Sequence, residues 1–513
     1  MTRGNPGAFG RSPHAEQYGA LVTTTPGTPA GVRWGTPQAR GVLAATIVGS
    51  GMAMLDGTIV NVALPRIGAE LSATMTGLQW VLDGYLLSLA ALILVSGSLG
   101  DRYGRRRVFQ IGVAWFGMAS VLCGLAPSVQ VLVAARVLQG IGGALLTPGS
   151  LAILQSAFAH DDRARAIGAW SGLSGVATAV GPLVGGLLVQ AWSWRLAFLV
   201  NVPVALLCLW LTRRCVPESR DADLAGRPDV LGTILGAVGL AGITAVLVEA
   251  PARGIGDPLV WIAGPGGAAA LAAFCLLQVR STRPLVPPSL FANRTFVLTN
   301  LLTFLLYAAL SGAMTLMVMQ LQVSLGYSPT AAGLAGLPIT IIMLVLSARS
   351  GRLAQRFGPR PQLVAGPLVV AAGMFLLRGV TPDASYPVSV LPGVVLFGFG
   401  LAVAVAPLTA TVLAAAPDRH AGIASGVNNA VARTGSLLAV AVLPAAAGIH
   451  GEQYANPVTL TAGWQLAIAL CAAAAALGGL FALGVDNSVL RSESDTETEH
   501  TMHCAINAPP PRR

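Results

Sequence analysis

Gly97-Ser98-Leu99-Gly100-Asp101-Arg102-Tyr103-Gly104-Arg105-Arg106 recurs without a gap as Gly351-Arg352-Leu353-Ala354-Gln355-Arg356-Phe357-Gly358-Pro359-Arg360, at an offset of 254 residues. A second echo pairs Asp162-Arg163-Ala164-Arg165-Ala166-Ile167 with Asp418-Arg419-His420-Ala421-Gly422-Ile423, at an offset of 256. Chance matches have no reason to give nearly equal offsets, so the chain reads as two homologous halves. Each copy of the first motif is a short basic, glycine-bearing turn between two long apolar runs. That placement decides the fold: paired bundles of helices joined by charged loops.

The surrounding composition gives the solvent. The chain has 513 residues, of which 54% are hydrophobic and only 10% charged, and its mean hydropathy is +0.70. A soluble domain of this size cannot hide so much apolar surface, whereas a bilayer can. Apolar runs lie near 42–65, 78–98, 108–126, 129–155, 166–190, 195–212, 229–250, 258–279, 296–320, 331–350, 361–380, 387–410, 421–448 and 463–485. Each approaches the ~20 residues of a spanning helix, and the expected fold is an all-α polytopic membrane protein of about fourteen such helices. The offset covers about eight spans, which predicts six helices, two inserted helices, and six more. The expected segments are a disordered tail at 1–40, a six-helix bundle at 41–213, an inserted pair at 229–279, a second six-helix bundle at 295–485 and a disordered tail at 486–513. Gly264-Pro265-Gly266-Gly267 interrupts the second inserted run and makes 250–280 its least regular part.

Charge sets the expected orientation. One set of alternate loops carries Arg102, Arg105, Arg106, Arg107, Arg163, Arg165, Arg213, Arg214, Arg220, Arg227, Arg280, Arg283, Arg294, Arg352, Arg356, Arg360 and Arg419. The opposite set holds little beyond Arg66, Arg195, Arg253 and Arg378. The first set is therefore read as cytoplasmic, and an even number of spans puts both termini there. The net charge of +10 does not form a basic face, so a nucleic-acid partner is not expected. All 31 basic residues are arginine. A P-loop motor needs a lysine at the phosphates, so energy is expected from an ion gradient or a separate ATPase subunit. The six cysteines and six histidines show no metal-ligand spacing, and neither a metal nor a cofactor is expected.

Against this background the repeat motif resembles the loop signature between the second and third helices of the major facilitator superfamily. In that family the cluster steadies one state of an alternating cycle. The resemblance assigns this latch to Gly97, Asp101, Arg102, Gly104, Arg105 and Arg106, with Arg356 in a weaker second copy that has Gln355 where an acid is expected. Leu55-Asp56-Gly57-Thr58-Ile59-Val60-Asn61-Val62-Ala63-Leu64-Pro65 resembles the first-helix signature of fourteen-helix drug:proton antiporters. Leu132, Arg136, Gln139, Gly140, Gly142 and Gly143 resemble the fourth-helix motif of the superfamily. Gly172-x-x-Gly175 followed by Gly181-Pro182-x-x-Gly185-Gly186 resembles the fifth-helix antiporter motif. Trp192-Ser193-Trp194-Arg195-x-x-Phe198-x-x-Asn201-x-Pro203 fits the same subfamily. The resemblance covers nearly the whole chain outside its tails. It implies a proton-coupled exporter of a drug, antibiotic or secondary metabolite, acting as a monomer in a bacterial plasma membrane.

Three charges fall inside apolar runs of the first half. A charge at the bilayer centre costs at least about 2.5–3.5 kcal/mol on insertion scales and needs a partner or a wet cavity. Counted along their runs, Asp56, Asp83 and Arg136 reach similar depths from one side, so they are expected to meet. Burial disfavours a charged carboxylate and an adjacent arginine favours it. These opposing effects suit an acid for proton exchange, with Asp56 or Asp83 as carrier and Arg136 as tuner. Asp83 alternatively selects substrates, and a purely structural ion pair is the plainer reading. In the fifth run Gly172, Gly181, Gly185 and Gly186 permit close helix approach and Pro182 removes a backbone bond. The kinked helix is expected to seal one half against the other, or simply to pack.

In the second half Asn428-Asn429-Ala430-Val431-Ala432-Arg433-Thr434-Gly435 resembles the thirteenth-helix segment of the subfamily. Asn429 and Arg433 are four apart and share a helix face, so Arg433 is expected to face the cavity. With Asn61, Gln139 and Asn428 they form the expected substrate or gating set. Glu249 is read as interfacial. An uptake symporter on the same fold is the nearest alternative function. A membrane-embedded transferase would need polar catalytic clusters at a membrane face, and the sequence offers none.

Overall fold

The computed structural model describes residues 31–220, 229–281, 284–417 and 421–490. The first half contains α1 (Pro37–Leu71), α2 (Met75–Tyr103), α3 (Arg105–Gly124), α4 (Val129–Ala157), α5 (His160–Ala191) and α6 (Leu196–Cys215). Next come α7 (Val230–Arg253) and α8 (Pro258–Arg280). The second half contains α9 (Arg294–Ser324), α10 (Pro329–Phe357), α11 (Arg360–Gly379), α12 (Tyr386–Ala414), α13 (Ala421–Ala446) and α14 (Pro457–Gly484). Thirteen of these are long and apolar enough to cross a membrane among the described residues, and α5, at 32 residues, is the fourteenth helix of the arrangement.

Helices are forced here because hydrocarbon offers no partner for a bare backbone N–H or C=O. Their ends are set where a side chain replaces a helical partner. Thr36 caps α1, Thr74 caps α2, Ser128 caps α4, Asp229 caps α7, Asn293 caps α9 and Asn456 caps α14, each accepting from backbone N–H groups one turn in. Proline opens α1, α8, α10 and α14, where its missing N–H costs nothing.

The repeat is built into the contacts at the arginine-rich face. Arg106 N–H donates to Glu218 Oε1 at 3.1 Å and its guanidinium to Val216 O at 3.2 Å. In the second half Arg360 N–H donates to Asn487 Oδ1 at 3.0 Å and its guanidinium to Val485 O at 2.8 Å. Gly104 and Gly358, the equivalent turn glycines, have φ of +104° and +85°. A Cβ at either would strike Glu218 or Asn487 at 2.7 Å and 2.3 Å respectively. Each half thus closes its basic turn with the strand of chain leaving its last helix. This also corrects the expected tail at 486, because residues 485–487 are built into the turn, while 491–513 lie outside the described residues. The tail expected through residue 40 is likewise corrected from 31 onward. Val32 forms a two-way backbone bridge with the end of α4, and Trp34 N–H donates to Asp162 at 2.8 Å. Residues 1–30 lie outside the described residues.

The halves meet along two equivalent seams, α2 against α13 and α5 against α10. At the arginine-poor end they are bound together. Gln79 donates to Val440 O and Ala441 O, both at 2.9 Å. Pro444 has no N–H to give Val440, so Gln79 supplies the missing partner. Tyr454 donates to Ala73 O at 2.8 Å, Met75 N–H to Gly451 O at 2.7 Å and Gln322 to Val62 O at 3.0 Å. At the arginine-rich end no hydrogen bond or ion pair joins the halves among the described residues. Hydrogen bonds between the halves are therefore confined to the arginine-poor face among the described residues, while toward the other end Leu94 of α2 packs beside Gly426 of α13.

The inserted pair packs glycine to glycine, with a Cβ on Gly242 falling 2.7 Å from Gly267 Cα. Despite Gly264-Pro265, α8 runs unbroken from Pro258 to Arg280. Of the two, α7 touches both α2 and α13 along the seam. Its Glu249, expected at the interface, accepts from Trp80 Nε1 of α2 at 2.8 Å and from Arg253 at 2.6 Å.

Candidate functional site: a buried ion pair and an unpaired arginine

Asp56 lies in mid-α1 with no exposed surface, facing α3, α4 and α6. Its Oδ2 accepts from Arg136 Nη1 at 2.6 Å. Its Oδ1 accepts from Gln139 Nε2 at 2.8 Å and from Asn201 Nδ2 at 3.0 Å. Gln139 in turn donates to Ser120 Oγ at 2.9 Å and accepts from Arg136 at 2.6 Å. Arg136 also donates to Val81 O of α2 at 3.0 Å, and its guanidinium lies 4.3 Å from the centre of the Tyr85 ring. Arg136 and Gln139 share one face of α4, being three residues apart. The cluster ties α1, α2, α3, α4 and α6 at one point, and both carboxylate oxygens are occupied. Removing one member of such a pair strands the other charge at about 3–5 kcal/mol.

Asp83 does not join it. The sequence places Asp83 at the same depth, but the rotation of α2 turns it away from α4. Gly84 and Ser88 face α4 at Val137 and Gly140, while Gln79 and Trp80 face α13 and α7. Asp83, one turn along from Gln79 and Trp80, shares the face of α2 that those residues turn toward α13 and α7, and it is fully buried with neither oxygen hydrogen-bonded. Thr244 of α7, also fully buried, has an unpartnered hydroxyl.

The second-half residues separate into two kinds. Asn428 accepts from Thr303 Oγ1 at 2.8 Å, and Asn429 donates to Ser425 O at 3.0 Å. Those bonds hold α13 to α9 and to itself. Arg433 is half-buried and has no hydrogen bond or ion pair among the described residues. Asn61 accepts from Thr315 of α9 at 3.3 Å.

The basic turn keeps its bonds within the first half. Asp101 pairs with Arg105 at 2.7 Å. Arg102 has a buried Nη1 without a partner. A Cβ on Gly97 would meet nothing within 4 Å. Arg356 of the second copy lies over Phe357. On α5, Gly181 and Gly185 press against Thr58 and Ile59 of α1. Gly186 presses on Thr330 of α10, and a Cβ on Gly333 would fall 2.3 Å from Pro182 O. Gly172 belongs to α5, but its surroundings lie outside the described residues.

Asn201 and Ser120 were given no site role from the sequence. Asn201 sits in the quoted Trp192–Pro203 segment, and a lone amide inside an apolar run was the available signal.

The puromycin resistance protein of Streptomyces alboniger is 37% identical over 460 residues, covering 87% of this chain and 91% of the relative. The tetracenomycin C resistance and export protein of Streptomyces glaucescens is 36% identical over 416 residues, 81% of this chain and 77% of the relative. Among solved structures, a D-xylose-proton symporter superposes with a TM-score of 0.63 at 16% identity, covering 88% of this chain and 99% of the symporter. The family model described as Major Facilitator Superfamily matches residues 46–440 and 301–506. The chain belongs to the Major Facilitator Superfamily and is a multi-pass membrane transporter of small molecules.

Proposed function

We propose that this transporter exports a drug, antibiotic or secondary metabolite across a bacterial cytoplasmic membrane in exchange for protons, as a monomer. The export direction is supported by the relatives, which are named for resistance and export. Proton coupling is supported above all by one observation, the buried Asp56–Arg136 pair with Gln139 and Asn201 around it. With both termini and the arginine-rich face in the cytoplasm, the seal at the opposite face corresponds to a state open inward. There both Asp56 oxygens are taken by Arg136, Gln139 and Asn201, the arrangement that suits a carrier after it has released its proton. Substrate entering from the cytoplasm lets the halves 41–213 and 295–485 rock against each other, and the seams at Gln79 and Gly186 part. Through the opened outer face a proton then competes with Arg136 for the same oxygen, loosens the joint among five helices and returns the transporter to the inward state.

The basic turn of Asp101, Arg102 and Arg105, with Gly97, Gly104, Arg106 and the second-copy Arg356, is assigned to the opposite state. Arg102, with its buried unpartnered nitrogen, gains its partner when the arginine-rich ends close. Gly181, Pro182, Gly185 and Gly186, with Gly172 upstream, let α5 sit close to α1 and α10 and limit proton leak. Asn61 works at the gate, and Asn428 and Asn429 hold the helix that carries Arg433.

One observation favours a second carrier. Asp83 is fully buried with no hydrogen bond, and a charge there is uncompensated, so a proton removes a large cost. Inverted vesicles test the direction: an exporter accumulates its antibiotic when the vesicle interior is acidified. Accumulation only in right-side-out vesicles energised from outside would identify an uptake symporter and overturn the proposal.

A further inference from the structure

We infer that Arg433, set between Tyr85 and Tyr307, receives an acidic group of the transported molecule, so that the substrates are apolar or aromatic anions. The inference rests on the export reading and narrows its substrate.

The geometry comes from two registers. Along the α2–α13 seam, Gln79 meets Val440 and Leu94 meets Gly426. Interpolating between those contacts puts Arg433 level with residues 85–88 of α2. Between α9 and α13, a Cβ on Gly435 would strike Phe304 O, and Ser436 Oγ donates to Tyr307 O at 3.5 Å. Arg433 is one turn from Ser436 on α13, so Tyr307 stands beside it. One residue from each half therefore stands level with the arginine.

The chemistry comes from what these groups lack. Neither the Tyr85 nor the Tyr307 hydroxyl nor any Arg433 nitrogen makes a hydrogen bond among the described residues, and none is among the sealed atoms without partners. Arg433 and Tyr307 are part-buried, and Tyr85 is buried with its ring against Arg136 and Phe116. A guanidinium has five donors and no acceptor. An arginine at this depth needs a partner or water, and the acids at hand are committed elsewhere. Asp56 is saturated by Arg136, Gln139 and Asn201. Asp83 is fully buried on the face of α2 turned toward α13 and α7. What the site lacks is an anionic acceptor, and a carboxylate, phenolate or enolate fits the planar fork of arginine. The two tyrosine rings suit an aromatic or apolar body attached to that group.

The test is equilibrium binding to the purified full-length protein, with no gradient. The probes are 9-anthracenecarboxylate, its methyl ester, and 9-(aminomethyl)anthracene as the cation of matching size. The wild type is expected to bind the acid roughly tenfold more tightly than the ester, and the cation least, as a site built for one charged group should. R433Q is expected to lose the preference, R433K to keep part of it, and Y85F and Y307F each to reduce it a few-fold. Should R433Q aggregate, the wild-type ratio and the two tyrosine variants decide. An acid that binds no better than its ester, or does not bind, overturns the inference, as does a preference that survives R433Q. Because no transport is measured, a failure of export in vesicles leaves this result standing, and the two readings fail separately.

Discussion

Thr315 Oγ1 donates to Asn61 Oδ1 at 3.3 Å, and the two residues stand at equivalent positions of the repeat, 254 residues apart. The contact joins α1 to α9 across the pseudo-twofold relation of the halves, near the sealed end. Residues so placed must separate or slide when that end opens. In a background with the six cysteines replaced, N61C/T315C joined by a short bis-thiosulfonate linker should hold the arginine-poor face shut. Transport is expected to fall to background and to return on reduction. Full transport with the linker in place would show that this end does not open.

Glycine spacing at the second seam makes a matched pair of variants. A Cβ on Gly333 would fall 2.3 Å from the Pro182 carbonyl oxygen, whereas one on Gly266 meets nothing within 4 Å. Gly333→Val should keep the α5–α10 seam from closing and abolish turnover while the protein still folds. Gly266→Ala should leave transport rate and thermal stability near wild type. Labelling of a cysteine placed at Gln322 should rise in Gly333→Val as the sealed face loosens.

Trp80 and Glu249 fasten the inserted pair to the first half through a 2.8 Å bond. Single substitutions W80F and E249Q and the double variant form a thermodynamic cycle. Their coupling is expected at about 0.5–1.5 kcal/mol, read from denaturation midpoints. A coupling of zero would mean that α7 is held by packing alone.

The buried pair sets an unequal response to its two single changes. R136Q leaves Asp56 charged without its guanidinium and should cost about 3–5 kcal/mol. D56N keeps an oxygen toward Arg136 and should cost less, with the protein still folded but uncoupled from protons. Equal small losses for both would make the pair dispensable to the bundle. D83N separates the second carrier reading, since it should preserve proton-driven export if Asp56 alone carries the proton.

The repeat, the helix count and the Asp56–Arg136 pair were legible in the sequence because each depends on position along the chain. Asp83 shows where that stops. Counting residues at 1.5 Å per residue gives a position along the helix axis and nothing about the side chain's direction. The direction of the Asp83 side chain depends on the rotation of α2, which is fixed by Gln79 and Trp80 bonding to α13 and α7. No local pattern carries that information. Asn201 was missed for a related reason, since its value lies in meeting Asp56 from 145 residues away. Residues 31–36 lack apolar periodicity, and their docking on α4 and Asp162 is a tertiary contact.

Export driven through protonation at Asp56 has a direct test. An antibiotic first identified as a substrate by a susceptibility panel, added to inverted vesicles holding an acidic interior, should release protons from wild-type vesicles as it accumulates. The same vesicles carrying D56N should show neither accumulation nor proton release, although they bind the antibiotic. Accumulation that persists after nigericin collapses the pH gradient, or that is undiminished in D56N, would contradict the account.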